Sequence, residues 1–356
     1  MRGTIIRKFS SRIFETPLKR PFVTALGRKT ATCNVGFTVT LRDGTRGYGE
    51  ASASLAMAHL RPAHLARVLQ GLGKSAVGRD AASPRPLIEE AWRRHAQEGP
   101  ATSAFECALL DAWTRSQGLS LASWFGGKLS ALESDITISA WTDPELIGQA
   151  AAEAAQEGFR AFKVKVGGKP EDDIERMRLV FAAAGKSRNR LRFILDGNQG
   201  LTVSSALRLC EACRKSGIKI ILIEQPLGKT DFKGMAELTK RSSIPVAADE
   251  MVQSPQDAVR VAMARSASVI NIKVAKCGLL RALEIAAVAR AAGMGLMIGC
   301  MAETSRGLMP SVHLALGTGF FGFVDLDSDH LLRDDDPSPD WKRRGPWVGL
   351  PDKASA

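Results

Sequence analysis

Two lysines, Lys163 and Lys165, stand two apart inside the apolar run AFKVKVGG at Ala161–Gly168. In a strand, residues i and i+2 share a face, so both ammonium groups would enter one interior. Burying like charges side by side is costly and lowers at least one lysine pKa, the condition under which a lysine works as a base. An amphipathic edge strand with two solvated lysines would read the same way, and the downstream residues separate the two readings. Three later apolar runs end in a carboxylate: FILDGN at Asp196, LIEQP at Glu224 and VAADE at Asp249. Each follows the last by one β/α unit, which puts all three at one level on adjacent parallel strands. A single acid there could be a helix N-cap or a surface group. Three in register repel one another unless a cation joins them, and hard oxygen donors without thiol or imidazole suit Mg²⁺. One unit further on, VINIKVAKC carries Lys273; Lys276, three residues later, falls past the strand end and is the weaker candidate.

These residues state a chemistry. Mg²⁺ on a substrate carboxylate would neutralise the charge that builds up as the α-proton leaves and an ene-diolate forms. Strands two and six flank strands three to five, so Lys165 and Lys273 would approach the α-carbon from opposite faces. One removes the proton and the other returns it, a 1,1-proton transfer that racemises or epimerises the centre. Lys163 would keep Lys165 partly neutral or hydrogen-bond the developing enolate. Both Lys163 and Mg²⁺ are expected to depress the pKa of the catalytic lysines.

The elements that must position them follow from periodicity. Residues 1–50 read as β-rich, with strands predicted at Ile5–Phe14 and Cys33–Leu41. The glycine-containing stretch Arg20–Thr30 between them is long enough for a lid loop. Helical spacing covers His64–Leu72, Pro86–Gln97 and Ala101–Gln117. From about residue 130, short apolar runs alternate with helical stretches. The predicted strands are Asp135–Ala140, Ala161–Val166, Arg192–Asp196, Lys219–Glu224, Pro245–Asp249, Ser268–Lys273, Gly295–Cys300 and Gly322–Asp327. Eight such units argue a parallel β/α barrel, with a doubly wound open sheet as the alternative. Polar residues at nearly every strand end favour the barrel, whose active sites sit there. The expected division is an α+β domain over 1–125, a barrel over 126–327 and a segment over 328–356 that returns towards the first domain.

Composition narrows the partners. The net charge of +12 is scattered, its densest cluster being Lys342–Arg344, and aromatics do not interleave with it; this argues against nucleic acid. No apolar run reaches the roughly 18 residues of a membrane span, and the N-terminus MRGTIIRKFS has no signal-peptide core. A cytoplasmic location without membrane contact is expected. Cys210 and Cys213 form one C-x-x-C on a helical pattern with no second pair downstream, so the six cysteines read as reduced thiols rather than a zinc site.

With K-x-K on strand two, D–E–D on strands three to five and K on strand six, the chain resembles the enolase superfamily, muconate-lactonizing subgroup, over nearly its whole length. Pairing Mg²⁺ with a lysine base is the known device of that superfamily. The His-plus-Asp base of its mandelate racemase branch has no counterpart, since no histidine lies at a suitable strand end; His313 reads as core. The resemblance implies an enolase-like α+β capping domain, a (β/α)7β modified TIM barrel and one Mg²⁺ per subunit. Strand eight, GFVDLDSDHLL, is similar to the D-x-D of dipeptide epimerases of the L-Ala-D/L-Glu type. By that similarity Asp325 and Asp327 would bind the α-ammonium of a dipeptide. Cys300 and Met301 would contact its backbone, Thr137 would match a strand-one threonine, and Thr24 and Gly27 would belong to the specificity lid. Two departures stand out. Ser328-Asp329-His330 replace the usual Gly-Pro after D-L-D, and Gly27 stands where members acting on Ala-Glu carry Arg after T-A-L. Within the subgroup, o-succinylbenzoate synthase with N-succinylamino acid racemase activity, or muconate cycloisomerase, is the alternative; Asp325 and Asp327 argue against it, because those substrates bring no ammonium there. A non-enzymatic binding protein fits poorly with so many buried charges. A homo-oligomer is compatible with all of these readings.

Overall fold

The structure is a computed structural model and describes residues 3–185 and 190–351. Strands β1 (Ile6–Thr24) and β2 (Gly27–Leu41) form one long antiparallel hairpin, and β3 (Arg46–Ser52) pairs with β2. On β2 Val35, Phe37, Val39 and Leu41, two residues apart, are all buried, the period-2 pattern of a sheet with one covered face. Helices α1 (Pro62–Ala76) and α3 (Gly99–Ser116) cover that face, and α2 (Pro84–Arg94) and the short α4 (Leu121–Trp124) pack on α3. Phe37 meets Phe105 of α3 with ring centroids 6.0 Å apart. Helix α3 is buried almost all round, because it is sandwiched between β3 and the second domain.

The lid departs from expectation. Arg20–Thr30 is not a loop: pairing continues through Phe22–Lys29 and Val23–Arg28 to Thr24–Gly27 at the tip. Pro17 and Pro21 cannot donate to a ladder, and the register shifts between Pro17 and Phe22, where the strand bulges. Beyond the bulge, Val23 and Thr24 favour extended backbone, and Gly27 closes the turn at φ +142°, a value that strains any side-chain-bearing residue.

After β4 (Ala131–Glu133) the eight predicted strands appear as β5 (Ile136–Ile138), β6 (Ala161–Lys165), β7 (Arg192–Asp196), β8 (Ile220–Glu224), β9 (Val246–Ala248), β10 (Val269–Ile272), β11 (Gly295–Gly299) and β12 (Phe323–Asp325). They pair in sequence order, all parallel, so the doubly wound alternative is excluded. Seven helices connect them: α5 (Pro144–Gln156), α6 (Pro170–Ala183), α7 (Val203–Lys215), α8 (Phe232–Arg241), α9 (Pro255–Ala264), α10 (Val274–Ala291, broken at Gly278) and α11 (Ser305–Thr318). The wall closes between β12 and β5 through Asp135 N to Val324 O at 2.9 Å and Leu326 N to Ser134 Oγ at 2.9 Å. The architecture is therefore an enolase-like capping domain on a (β/α)7β barrel. Ile194, Leu222, Ala247, Val269 and Met297 fill the lower interior as a separate apolar plug, leaving the upper interior polar.

Strand eight ends earlier than predicted. Asp325 closes β12, and Asp327 leads the short α12 (Ser328–Leu331). The C-terminal segment forms β13 (Lys342–Arg344) and β14 (Trp347–Gly349), which pair with β4. It also touches the capping domain, through Arg333 N to Pro17 O at 2.9 Å and Arg115 to Asp340 at 2.7 Å; residues 352–356 of that predicted segment lie outside the described residues. Cys210 and Cys213 lie on α7, and all six cysteines are free. No helix among the described residues is long and apolar enough to cross a membrane.

Candidate active site

Parallel register brings the predicted residues together. Lys165, Asp196 and Glu224 are direct Cα partners across β6, β7 and β8, so their side chains enter the barrel at one level. Asp249 and Lys273 follow just past the ends of β9 and β10. Asp196 and Glu224 are 0% exposed and Asp249 is 2% exposed. Four lysines stand against these three acids. Lys163 Nζ lies 2.9 Å from Asp196 Oδ2, 2.8 Å from Glu224 Oε2 and 2.7 Å from Asp325 Oδ2. Lys165 Nζ donates to Asp196 Oδ2 at 2.6 Å. Lys273 Nζ is 2.9 Å from Asp249 Oδ2 and 4.0 Å from Glu224 Oε1. Lys276 Nζ donates to Asp249 Oδ1 at 2.5 Å and to Asp249 O at 2.8 Å. Lys165 and Lys273 thus hold the two ends of the carboxylate row, as strands two and six should.

The sequence reading expects Lys163 and Mg²⁺ together to depress the catalytic lysines; the carboxylates by themselves act the other way on Lys273. Burial does pull Lys273 down, but Asp249 and Glu224 overcome it and hold the ammonium above its ordinary range despite repulsion from Lys163. Lys163 is likewise pulled down by burial, yet Asp196, Asp325 and Glu224 hold it well above. In the acids the same pairs work in reverse. Burial raises Asp196 and Asp249, and the lysines more than reverse this and hold both below the usual carboxylate range. Glu224, between the other two acids, is pushed up to about 7 by burial and by Asp196.

Several polar atoms here lack hydrogen bonds. Glu224 Oε2 makes none, although Lys163 lies within ion-pair distance, and Asn198 Oδ1 and Glu250 Oε2 nearby have no partner. An all-oxygen donor set of Asp196, Glu224 and Asp249, with spare acceptors around it, fits a hard divalent cation. A second acidic group behaves differently. Cys300 Sγ and oxygens of Asp325 and Asp327 lie within 4.8 Å of one another. Burial and the neighbouring acids raise the Cys300 thiol well above its ordinary value, so it stays protonated and is a poor ligand for a hard ion. Asp327 Oδ2 accepts from Thr137 N at 2.6 Å, and burial with Asp325 pushes it up to about 6.

The cleft above is shared by both domains. Lys163, Lys165, Asp249, Lys273, Asp325, Asp327, Thr137, Cys300, Met301 and Thr24 all line it. Gly27 does not: it is exposed at the hairpin tip, and Leu26 and Lys29 line the cleft instead. Phe22 lies over Lys165, 5.4 Å from Nζ to the ring centroid. The predicted helical core histidine, His313, is buried on α11 with Nε2 3.0 Å from Asp340 O.

Lys276, the weaker candidate, does lie past the strand end, yet the tight turn after β10 brings it back to Asp249 and leaves it 4% exposed. Sequence reasoning missed three groups. Asp135, 2% exposed, carries no hydrogen bond on either oxygen. Burial, then Asp325 and Asp327, push it well above the carboxylate range, so it sits behind them as a neutral acid. Glu250, next to Asp249, is pushed up to about 7 by burial and Asp249. Lys29, in the cleft wall, is lowered to about 8 by burial.

The chain is similar to known proteins over most of its length. Residues 8–126 match the family "Mandelate racemase / muconate lactonizing enzyme, N-terminal domain", and residues 145–354 match "Enolase C-terminal domain-like". An aromatic dipeptide epimerase of Herpetosiphon aurantiacus is 37% identical over 91% of this chain and 90% of its own length. An L-Ala-D/L-Glu epimerase of Thermotoga maritima is 32% identical over 89% of this chain and 90% of its own. The crystal structure of a dipeptide epimerase from Enterococcus faecalis V583, complexed with Mg and L-Leu-L-Tyr, superposes with a TM-score of 0.90 at 28% identity, covering 98% of this chain and 97% of that one.

Proposed function

For this chain, which belongs to the mandelate racemase / muconate lactonizing enzyme family of enolase-like proteins, we propose a magnesium-dependent dipeptide epimerase that inverts the α-carbon of the C-terminal residue. The observation that carries the reading is the placement of Lys165 and Lys273 at opposite ends of one buried carboxylate row, with the Asp325–Asp327 pair opening into the same cleft. Asp196, Glu224 and Asp249 would hold the cation. Bound there, Mg²⁺ supplies the positive charge that the substrate carboxylate needs as its α-proton leaves. Lys165 and Lys273 would give up Asp196 and Asp249 as partners once those carboxylates hold the cation, which frees both nitrogens to face the α-carbon. One lysine nitrogen then takes the α-proton, its bonding pair moving towards the carboxylate. The other ammonium delivers a proton to the opposite face of the same carbon. Lys163, enclosed by three acids, stays charged and orders them.

Asp325 and Asp327 would receive the substrate ammonium. Asp325 already meets Lys163 at 2.7 Å, so the pair with that lysine keeps a net negative charge, well matched to one added cation. A succinyl or muconate carboxylate would instead meet like charge, which disfavours the other activities of the subgroup. Asp325→Asn or Asp327→Asn should lower kcat/KM for free dipeptides on the order of a hundredfold while Mg²⁺ affinity changes little. N-acetylated dipeptides reacting as well as free ones would sink the reading. Equilibrium dialysis with Mg²⁺ and rates on both substrate sets measure it.

Side-chain choice is assigned to the hairpin tip, with one change from the sequence reading. Since Leu26 faces the cleft and Gly27 does not, Leu26→Arg is expected to move preference towards Glu-containing dipeptides. Gly27→Arg should strain the turn without that shift. A dipeptide library read by mass spectrometry decides; an unchanged profile for Leu26→Arg would remove the tip from specificity. The six free thiols support a reducing, cytoplasmic setting.

A further inference from the structure

The turn that carries Lys273 is held from the other domain. After β10 the chain runs Lys273–Cys277 and then breaks at Gly278, φ +75°, before the main body of α10 begins. No side chain of that turn caps the helix that follows, whose first N–H groups need acceptors. The acceptor comes from α3 of the capping domain. Glu106, 0% exposed, takes Leu280 N on Oε1 at 2.7 Å and Trp92 Nε1 on Oε2 at 2.6 Å. One turn earlier on α3, Ser103 Oγ donates to Val274 O at 2.6 Å. A Cβ on residue 278 would lie 2.3 Å from Glu106 Oε2, so Gly278 supplies both the left-handed φ and the space for the carboxylate. Arg281 stacks over Trp92 at 4.0 Å and closes the group from outside. The backbone of Lys165 is held within the barrel instead: Lys165 pairs with Asp196 of β7 and its carbonyl accepts from Arg176 at 3.2 Å, while the capping domain meets its ammonium, through Phe22.

We propose that Glu106, with Ser103, is a positioning residue of the capping domain that sets the Lys273–Gly278 turn and so the approach of Lys273, but not of Lys165, to the substrate α-carbon. The inference rests on the epimerase reading above. It gives the first domain a part in the proton transfer separate from its contribution to the cleft wall. A misplacement of about 1 Å at a reacting group costs up to about a hundredfold in rate, so a small shift of this turn suffices.

The test reads each face separately. The wild type, Glu106→Gln and Ser103→Ala are incubated in D₂O with an L,L-dipeptide and, separately, its L,D epimer, and initial deuterium uptake is measured by mass spectrometry alongside Tm. The epimer served by Lys273 is the one that Lys165→Ala still exchanges. For Glu106→Gln its exchange should fall on the order of tenfold while the other epimer keeps its rate within about twofold. Ser103→Ala should show the same asymmetry more weakly, and it decides if Glu106→Gln fails to fold. Equal losses on both faces, or a lowered Tm with unchanged exchange, would make Glu106 a packing residue and overturn the proposal. A wild type that exchanges neither epimer of any dipeptide overturns the epimerase reading itself, a result distinct from symmetric loss in the variants.

Discussion

Lys273→Ala is expected to abolish epimerisation in both directions while leaving the α-proton of one epimer exchangeable, and Lys165→Ala is expected to do the same for the other epimer. Inversion needs one group to remove a proton and a second to return one, so losing either stops the net reaction. A positioned acid or base contributes on the order of 10² to 10⁴ in rate, and the loss should lie at the upper end because water has little access to residues 6% exposed. The two lysines meet different carboxylates, Lys165 at Asp196 and Lys273 at Asp249, at opposite ends of the row, and this separation makes the exchange face-specific. Lys276 is the built-in control. It lies 2.5 Å from the same Asp249, so Lys276→Ala should impair Asp249 and reduce both epimers alike. Deuterium uptake into the same epimer by both Lys165→Ala and Lys273→Ala would refute the assignment and return Lys163 and Lys276 to consideration.

Removing the divalent cation should silence the enzyme without unfolding it. Charge stabilisation of this kind supplies several kcal/mol at the transition state, so excess chelator should lower kcat/KM by at least about a thousandfold, restored by added Mg²⁺. The fold should survive, because Lys163, Lys165, Lys273 and Lys276 all pair with Asp196, Glu224 or Asp249 and can meet their charge unaided. Only the binding energy of the ion is lost, a fall in Tm of a few degrees. Asp249→Ala should be worse for stability than chelation. It strands two buried ammonium groups, and breaking a buried pair costs about 3–5 kcal/mol. Activity that persists in excess chelator, or a chelated protein that unfolds as readily as Asp249→Ala, would contradict the account. Calorimetry and initial rates on the same samples measure both.

Much of this was legible in the sequence because the relevant information is periodic and local. A parallel barrel repeats one strand and one helix per unit, so carboxylates one unit apart, Asp196, Glu224 and Asp249, must arrive at neighbouring strand ends. K-x-K at Lys163 and Lys165 must share a face for the same reason. Tertiary structure decided what depends on chain segments far apart. Asp325 reaches Lys163 across 162 residues, only because β12 closes back on β5, and that closure also buries Asp135. Lys163 and Lys273 are held above the ordinary lysine range because the acids surround them, a property of the assembled interior that pairwise sequence spacing does not contain. The hairpin tip turned Gly27 out and Leu26 in because pairing past the Pro17–Phe22 bulge set which side faces the barrel. The cap on α10 comes from Glu106, 174 residues before the Leu280 N–H it accepts, and only the docking of two domains could put it there.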